Sequence, residues 1–160
     1  MMKITLAVVG KIKEKYFSDA VAEYGKRLGR YCRLSIAEAP DEKTPDGASP
    51  AQESQIKAKE GERLQKLIPQ DAYVIALAIQ GKKYSSEAFA EKMQSLAVTG
   101  ESHLCFVIGG SLGLDEEILK QADLLVSFSD MTFPHQLMRV ILLEQIYRGF
   151  RILNHEPYHK

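Results

Sequence analysis

Residues 124–153, LLVSFSDMTFPHQLMRVILLEQIYRGFRIL, place a short apolar strand, a loop and a long helix in immediate succession. Leu124, Leu125 and Val126 form the strand. Residues 127–133 are small hydroxylated and apolar side chains closed by Pro134, whose missing N–H costs nothing in a first helical turn, and Thr132 is a candidate cap. The helix expected from His135 through Leu153 carries Leu137, Val140, Ile141, Leu142, Leu143, Ile146, Tyr147, Phe150 and Ile152, which cover more than one face. A surface helix needs one apolar stripe, so this one is expected to lie between its own domain and a second body, most economically a partner subunit. Its polar residues are few. His135 and Arg139 stand one turn apart, as do Glu144 and Arg148. Glu144 and Arg148 read blandly as an exposed ion pair worth about 0.3–0.5 kcal/mol, and functionally as residues that position a substrate.

Further apolar runs precede this stretch. Residues 104–108 are a buried strand that feeds directly into Gly109, Gly110, Ser111, Leu112 and Gly113, and residues 115–121 make a short helix. Residues 73–79 are a continuous apolar strand followed by Gln80, Gly81, Lys82 and Lys83. Ser85 or Ser86 starts a helix reaching Val98, with Gly100 as its stop. Nearer the beginning, residues 3–9 form a central strand ended by Gly10, and residues 13–28 carry Phe17, Ala20, Val21, Tyr24 and Leu28 at helical spacing. Residues 33–39 are another strand. Pro40, Pro45, Gly47 and Pro50 then break regular structure in a long polar loop. Ser49 with Pro50 and Gln52 is a capping signature for a charged helix through Leu67, whose mixed signs read as a solvated face. Alternating strands and helices with near-continuous apolar strands specify an α/β fold, a mostly parallel sheet with helices on both faces. No repeat or linker divides residues 1–160, so a single domain is expected.

With 160 residues, 45% of them hydrophobic, the chain is long enough for a substantial core. The 21 basic and 21 acidic residues balance to zero net charge, which argues against binding free nucleic acid through a broad electrostatic field and leaves local charge, shape or a composite surface. No apolar run approaches the ~20 residues of a bilayer span, so a cytoplasmic protein is expected. Cys32 and Cys105 lie too far apart for a metal-ligand pair motif and read as reduced structural residues.

The glycine segment follows a strand and precedes a helix, where open α/β sheets bind ligands. Its spacing is not that of a dinucleotide fingerprint and no lysine follows as in a P-loop. It is either a turn needing positive φ or a place where backbone approaches a ligand closely. The residues ending the neighbouring runs, Leu77 and the loop Phe128, Ser129, Asp130, Met131, Thr132, Phe133, are comparably placed. If the three strands are neighbours, their ends converge on one pocket with apolar walls and backbone groups able to read an adenine edge. His135 opens the long helix beside that loop, as a substrate or cofactor contact or as an ordinary first-turn residue. Arg139 binds a phosphate or base through its planar fork, or ties a carboxylate from a neighbouring element. Residues 154–160, NHEPYHK, read on sequence grounds alone as a disordered tail.

Taken together in order and spacing, residues 127–139, Val107 to Gly113, Gly10 and Lys11, the Asp41, Glu42, Lys43 segment and the terminal Pro157, Tyr158, His159, Lys160 closely resemble the ribosomal RNA large subunit methyltransferase H family, small members of the SPOUT superfamily. The resemblance spans essentially the whole chain. It implies a C-terminal trefoil knot that binds S-adenosyl-L-methionine in a bent conformation, with Leu77, Gly109, Phe128, Ser129, Asp130, Met131, Thr132 and Phe133 as cofactor contacts. It also implies methyl transfer to N3 of a pseudouridine in 23S ribosomal RNA within the ribosome, by a homodimer and without a metal. On this reading the tail belongs to the active site, where Tyr158 stacks on or bonds to the base and His159 handles the proton. His135 and Arg139 join them, and Glu144 and Arg148 contact substrate. Two alternatives remain at this stage: an enzyme using another adenine-containing ligand, and a ribosome-associated binding module without turnover.

Overall fold

In the computed structural model, which describes residues 1–160, the apolar runs become β1 (Met2–Val9), β2 (Cys32–Ala39), β3 (Tyr73–Lys83), β4 (His103–Ile108) and β5 (Leu124–Ser127). Between them lie α1 (Lys15–Leu28), α2 (Pro50–Gln65), α3 (Ser86–Val98) and α4 (Glu116–Gln121), and α5 (His135–Leu153) closes the series. The strands pair in the order β2-β1-β4-β3-β5, all parallel.

Side chains alternate across the pleat, so each central strand contributes to two cores. Ile4, Leu6 and Val8 of β1 join Leu104, Phe106 and Ile108 of β4 against α1, α3 and α5. Their neighbours Ala7, Val9, Cys105 and Val107 are smaller and meet α2 and α4 through Leu64 and Ile118. Helices therefore cover both faces, as expected. Each fully buried Leu, Ile or Phe side chain contributes about 1.5–3 kcal/mol. Burial pushes the Cys32 thiol up to about 11 and that of Cys105 to about 12, and both are free, in keeping with inert structural residues.

Ser49 caps α2 as the sequence indicates: its Oγ accepts from Gln52 N at 3.1 Å and its own N donates to Gln52 Oε1 at 2.8 Å. The charged run that follows is not uniformly solvated. Glu60 is buried, its carboxylate accepting Glu42 N at 3.0 Å, while Arg63 donates to Pro40 O at 2.9 Å and pairs with Glu42. These contacts pin the start of the long polar loop to α2. Thr132 does not cap α5. Pro134 occupies the N-cap position without a side-chain hydrogen bond, because a proline cannot supply one.

β3 runs four residues beyond Ile79. Leu77 and Lys82 both pair with Val126, so residues 78–81 bulge out and the chain then rejoins the same partner strand. Gly81 makes that return possible, since a Cβ there would lie 2.6 Å from Leu125 C and Val126 N. Along α5 no residue is exposed. α1 and α3 flank it and the terminal segment lies against it, leaving Leu137, Val140 and Ile141 half-buried, so part of the cover expected from a second body comes from within the chain. No helix is long and apolar enough to cross a membrane.

Gly81 and Gly149, two of the three glycines at which an added Cβ would come closer than 3.0 Å to another atom, differ in what would have to move. Gly81→Ala meets strand backbone and is expected to lower unfolding free energy by about 2 kcal/mol or more, whereas Gly149→Ala meets only the mobile methyl end of Met93 and should change it by less than about 1 kcal/mol. Urea unfolding of both variants checks the difference, and equal losses would show that the β3 return is not sterically closed.

Candidate active site

Because β4, β3 and β5 are neighbours, their C-terminal ends open together onto a cleft of about 1020 Å3. The bulge of β3 sends Ile79 and Gln80 into it, and the segment after β4 forms a rim. That rim folds back on itself: a Cβ on Gly109 would lie 2.6 Å from Gly113 C, Gly113 has φ +88°, and its N donates to Gly110 O at 3.0 Å. The tight-turn reading of these glycines therefore holds, and the turn itself borders the cleft. Beneath it a Cβ on Gly110 would meet Glu60 Oε1 at 3.2 Å. Burial raises the Glu60 pKa, partly opposed by the bond from Glu42 N.

Leu77, Gly109, Phe128, Ser129, Met131, Thr132 and Phe133 all line the cleft. Asp130 does not. Its carboxylate accepts Lys83 Nζ at 2.6 Å, tying the loop to the end of β3. Within the loop Ser127 Oγ donates to Ser129 O at 3.1 Å and Met131 N donates to Ser129 Oγ at 3.0 Å, so its conformation is held locally.

His135 sits at the edge of this cleft, and its buried Nδ1 has no hydrogen-bond partner. Burial lowers its pKa and the Arg139 cation lowers it further, against a smaller opposing pull from Asp41. Arg139 is only 2% exposed. Its Nη1 donates to Glu38 Oε2 at 2.8 Å and its Nη2 to Gly10 O at 3.2 Å. Of the two roles open from the sequence, the structure displays the tie to a carboxylate of a neighbouring element.

The terminal segment is packed rather than loose. Tyr158 Oη donates to Glu144 Oε2 at 2.8 Å, and Arg148 holds the same carboxylate through Nε at 3.1 Å and Nη2 at 3.0 Å. The guanidinium also lies 4.6 Å from the Tyr158 ring centroid. Glu144 and Arg148 thus form a half-buried centre, not the exposed pair of the bland reading. Burial, then the bond to Glu144, pushes the Tyr158 hydroxyl up to about 12. Arg148 Nη1 donates to His159 Nδ1 at 3.1 Å. A guanidinium has only donors, so Nδ1 is the acceptor and Nε2 carries the proton, which faces Glu87. The same contact with His159, after the backbone bond in its own helical turn, lowers the Glu87 pKa.

Two constellations result. One joins Leu77, Gly109, the 128–133 loop and His135. The other joins Glu144, Arg148, Tyr158 and His159. Along α5, His135 and Glu144 are more than two turns apart, roughly 13 Å. A smaller cavity of about 230 Å3 bordered by Phe128, Phe133 and Gln145 lies between them, and Ser86 Oγ donates to Gln145 Oε1 across it at 2.7 Å. Sequence reasoning missed Tyr16 and Phe17 at the cleft rim, Glu38 as the partner of Arg139, and Glu87 as the partner of His159. Glu87 carries only the signal of an acidic residue in a first helical turn, which the helix dipole alone explains.

Residues 2–159 match the family model described as "Predicted SPOUT methyltransferase". The chain is 66% identical to ribosomal RNA large subunit methyltransferase H of Bifidobacterium adolescentis over 159 residues, 99% of this chain and 100% of that one. It is 58% identical to the protein of the same name from Alkaliphilus oremlandii and 53% to that from Acetivibrio thermocellus, with 99% of this chain and 100% of each relative covered. A solved structure of a probable methylase family protein from Haemophilus influenzae Rd KW20 superposes with a TM-score of 0.55 at 15% identity, covering 98% of this chain and 70% of that one, which is a likeness of fold.

The environment of His135 has a pH signature. Its pKa is lowered from the ordinary 6.5, so just below 6.5 the unfolded chain takes up a proton that the folded chain refuses. Its contribution to stability is fully present above 6.5 and is lost as pH falls through the window beneath. Urea unfolding free energy should therefore drop less between pH 7 and pH 5 in His135→Gln than in the unsubstituted chain. Identical drops would show that His135 titrates alike in both states.

Proposed function

The chain belongs to the SPOUT methyltransferase family, grouped along its length with the ribosomal RNA large subunit methyltransferase H proteins, and on that premise we propose that it is an S-adenosyl-L-methionine-dependent enzyme methylating N3 of a pseudouridine in 23S ribosomal RNA. The reading includes assembled ribosomes as substrate, a cytoplasmic location, a homodimer and the trefoil knot at the C-terminal end of the fold. The observation that carries it is the convergence of three strand ends on one apolar-walled cleft of about 1020 Å3.

The residues fit the cofactor. Leu77, Leu112, Met131 and Phe133 offer apolar walls, and the chain segments around Gly109 and residues 128–133 bring backbone polar groups to the rim. The first amides of α5 lack a side-chain cap where Pro134 and His135 border the cleft, which suits a carboxylate. When bound, S-adenosyl-L-methionine supplies a methyl group on a positively charged sulfur. The chain's own residues supply alignment, exclusion of water and removal of the N3 proton.

Tyr158, with its hydroxyl pushed up to about 12, stays protonated at neutral pH and serves as a hydrogen-bond donor and stacking surface. His159 is the group assigned to take the proton. Since these side chains stand apart from the cleft of their own chain, the reading assigns them to the cleft of a second copy, which explains why a dimer is required. Glu144 and Arg148 then hold the tail and contact the substrate, while Arg139 positions His135.

Calorimetric titration with S-adenosyl-L-methionine and a labelled-methyl assay on ribosomes from cells lacking the enzyme test the proposal. Binding and incorporation are expected. Removing residues 157–160 should leave cofactor binding in place and lower turnover by roughly 10²–10⁴-fold, the usual range for a lost acid–base group. Absence of cofactor binding would overturn the reading, ribosome binding without incorporation would mark a non-catalytic module, and a stable monomer in sedimentation would remove the two-chain site.

A further inference from the structure

Beside the cleft runs a basic and aromatic segment that the chemistry above leaves unused, with Glu14, Tyr16 and Phe17 on the cleft rim and Lys11 and Lys13 on an adjoining cavity. Residues 11–17, KIKEKYF, connect β1 to α1 and form its first turn. Lys11 and Lys13 line a second cavity of about 320 Å3, mostly polar, which meets the cleft at His135 and Gln136. Lys13 N donates to Gln136 Oε1 at 3.0 Å, fastening the segment to the start of α5.

Neither Lys11 nor Lys13 takes part in an ion pair, whereas Lys15 is paired with Asp19 at 2.7 Å. Two carboxylates face the same cavity. Glu38 is committed to Arg139, and Asp41 offsets one of the two ammonium charges, so one positive charge remains within this cavity, while Glu14 lies on the adjoining cleft rim and not in the cavity. Tyr16, 66% exposed, lies edge-on to Phe17 with ring centroids 4.6 Å apart. Of the five large hydrophobic residues the chain exposes, three, Tyr16, Ile79 and Met131, border this one cleft.

We propose that this segment is the contact for the RNA strand entering the site, with Lys11 and Lys13 holding phosphate in the polar cavity and Tyr16 stacking on a base beside the target. The inference rests on the methyltransferase reading and adds to it the element that recognises the strand. A chain of zero net charge must attract RNA locally, and here the ammonium groups of Lys11 and Lys13 line a cavity that adjoins the reaction cleft at His135 and Gln136, a few residues from the exposed Tyr16 ring at the cleft rim. A second protein copy fits this surface less well, because covering unpaired lysines with protein carries a desolvation cost that a phosphate offsets.

The test uses the full-length protein and large ribosomal subunits from cells lacking the enzyme. Affinity is read by cosedimentation, KM and kcat by methyl transfer, cofactor affinity by calorimetry and assembly by sedimentation. The K11A/K13A double variant should bind S-adenosyl-L-methionine within about twofold of the parent protein while its ribosome Kd and KM rise on the order of tenfold, and the log–log salt dependence should flatten by about 0.7 for each phosphate released. K11R/K13R should retain affinity. Tyr16→Ala should weaken ribosome binding on the order of tenfold while Tyr16→Trp should not. Unchanged ribosome affinity and salt slope in K11A/K13A would overturn the proposal, as would loss of the dimer, which would make the segment an interface between copies. Should the parent protein bind ribosomes without transferring methyl groups, the methyltransferase reading would fail, and loss of affinity in K11A/K13A would still support this contact.

Discussion

The guanidinium of Arg139 is the interaction on which the architecture of the site depends. It is 2% exposed and joins the second turn of α5 to Glu38 near the end of β2 and to the carbonyl of Gly10 at the end of β1. Removing such a group from water costs several kcal/mol, so the arrangement persists only because its terminal nitrogens find acceptors. Three consequences follow from that fixed point. His135, one turn earlier, is held where the cleft and the polar cavity meet. Burial and the cation one turn on both disfavour protonation of its ring. Gly10, at φ +89°, presents its carbonyl to Arg139 while sending residues 11–17 across the mouth of the cleft.

The other end of α5 is organised by a carboxylate. Glu144 gathers Arg148 and Tyr158, and Arg148 in turn reaches His159, while Arg151 binds Glu156 at 2.9 Å and the carbonyl of Pro157 at 2.8 Å. These bonds, with the edge contact of Tyr158 on Tyr147 at 5.0 Å, give the terminal residues more partners than a short polar tail ordinarily has. α5 therefore acts as a spacer: its first turn serves the cleft and its third to fifth turns serve the tail. A rigid helix cannot bring both ends to one point, and this separation within a chain is the physical basis of the two-chain site proposed for it.

Much of this was legible in the sequence because the signals are local. The bounds of α5, the capping box of Ser49 and Gln52, the Ser85 cap of α3 and the alternating strands follow from periodicity and turn chemistry within a few residues. The convergence of Leu77, Gly109 and residues 128–133, Asp130 excepted, needed only that three strands be neighbours. What escaped depends on pairings distant in sequence. The extension of β3 to Lys83 is visible only against β5, which takes the chain back after the bulge. Glu60 looks solvated within a run of mixed charge, and its burial arises from the loop that Glu42 and Arg63 fold over it. Nothing local could choose between phosphate and carboxylate for Arg139, since its partner lies 101 residues away.

The hydrogen bonds of His159 constrain how it can act. Arg148 can only donate, so Nδ1 is occupied as an acceptor, and Nε2 holds a proton directed at Glu87. In this arrangement neither nitrogen has a lone pair free to receive a proton from a substrate. For His159 to act as a base, Arg148 must let go of Nδ1, since exchanging the tautomer would set an Nδ1–H against a guanidinium that can only donate. Arg148 would remain bound to the Glu144 carboxylate through Nε and Nη2, since only its Nη1 engages His159. Release of Nδ1 thus costs a single hydrogen bond while the tail stays anchored through Tyr158. On the proposed reading, Glu87 would stabilise the imidazolium that results, the role a carboxylate plays beside a catalytic histidine. The groups that hold the tail against α5 are thus the same ones that would support the proposed proton transfer.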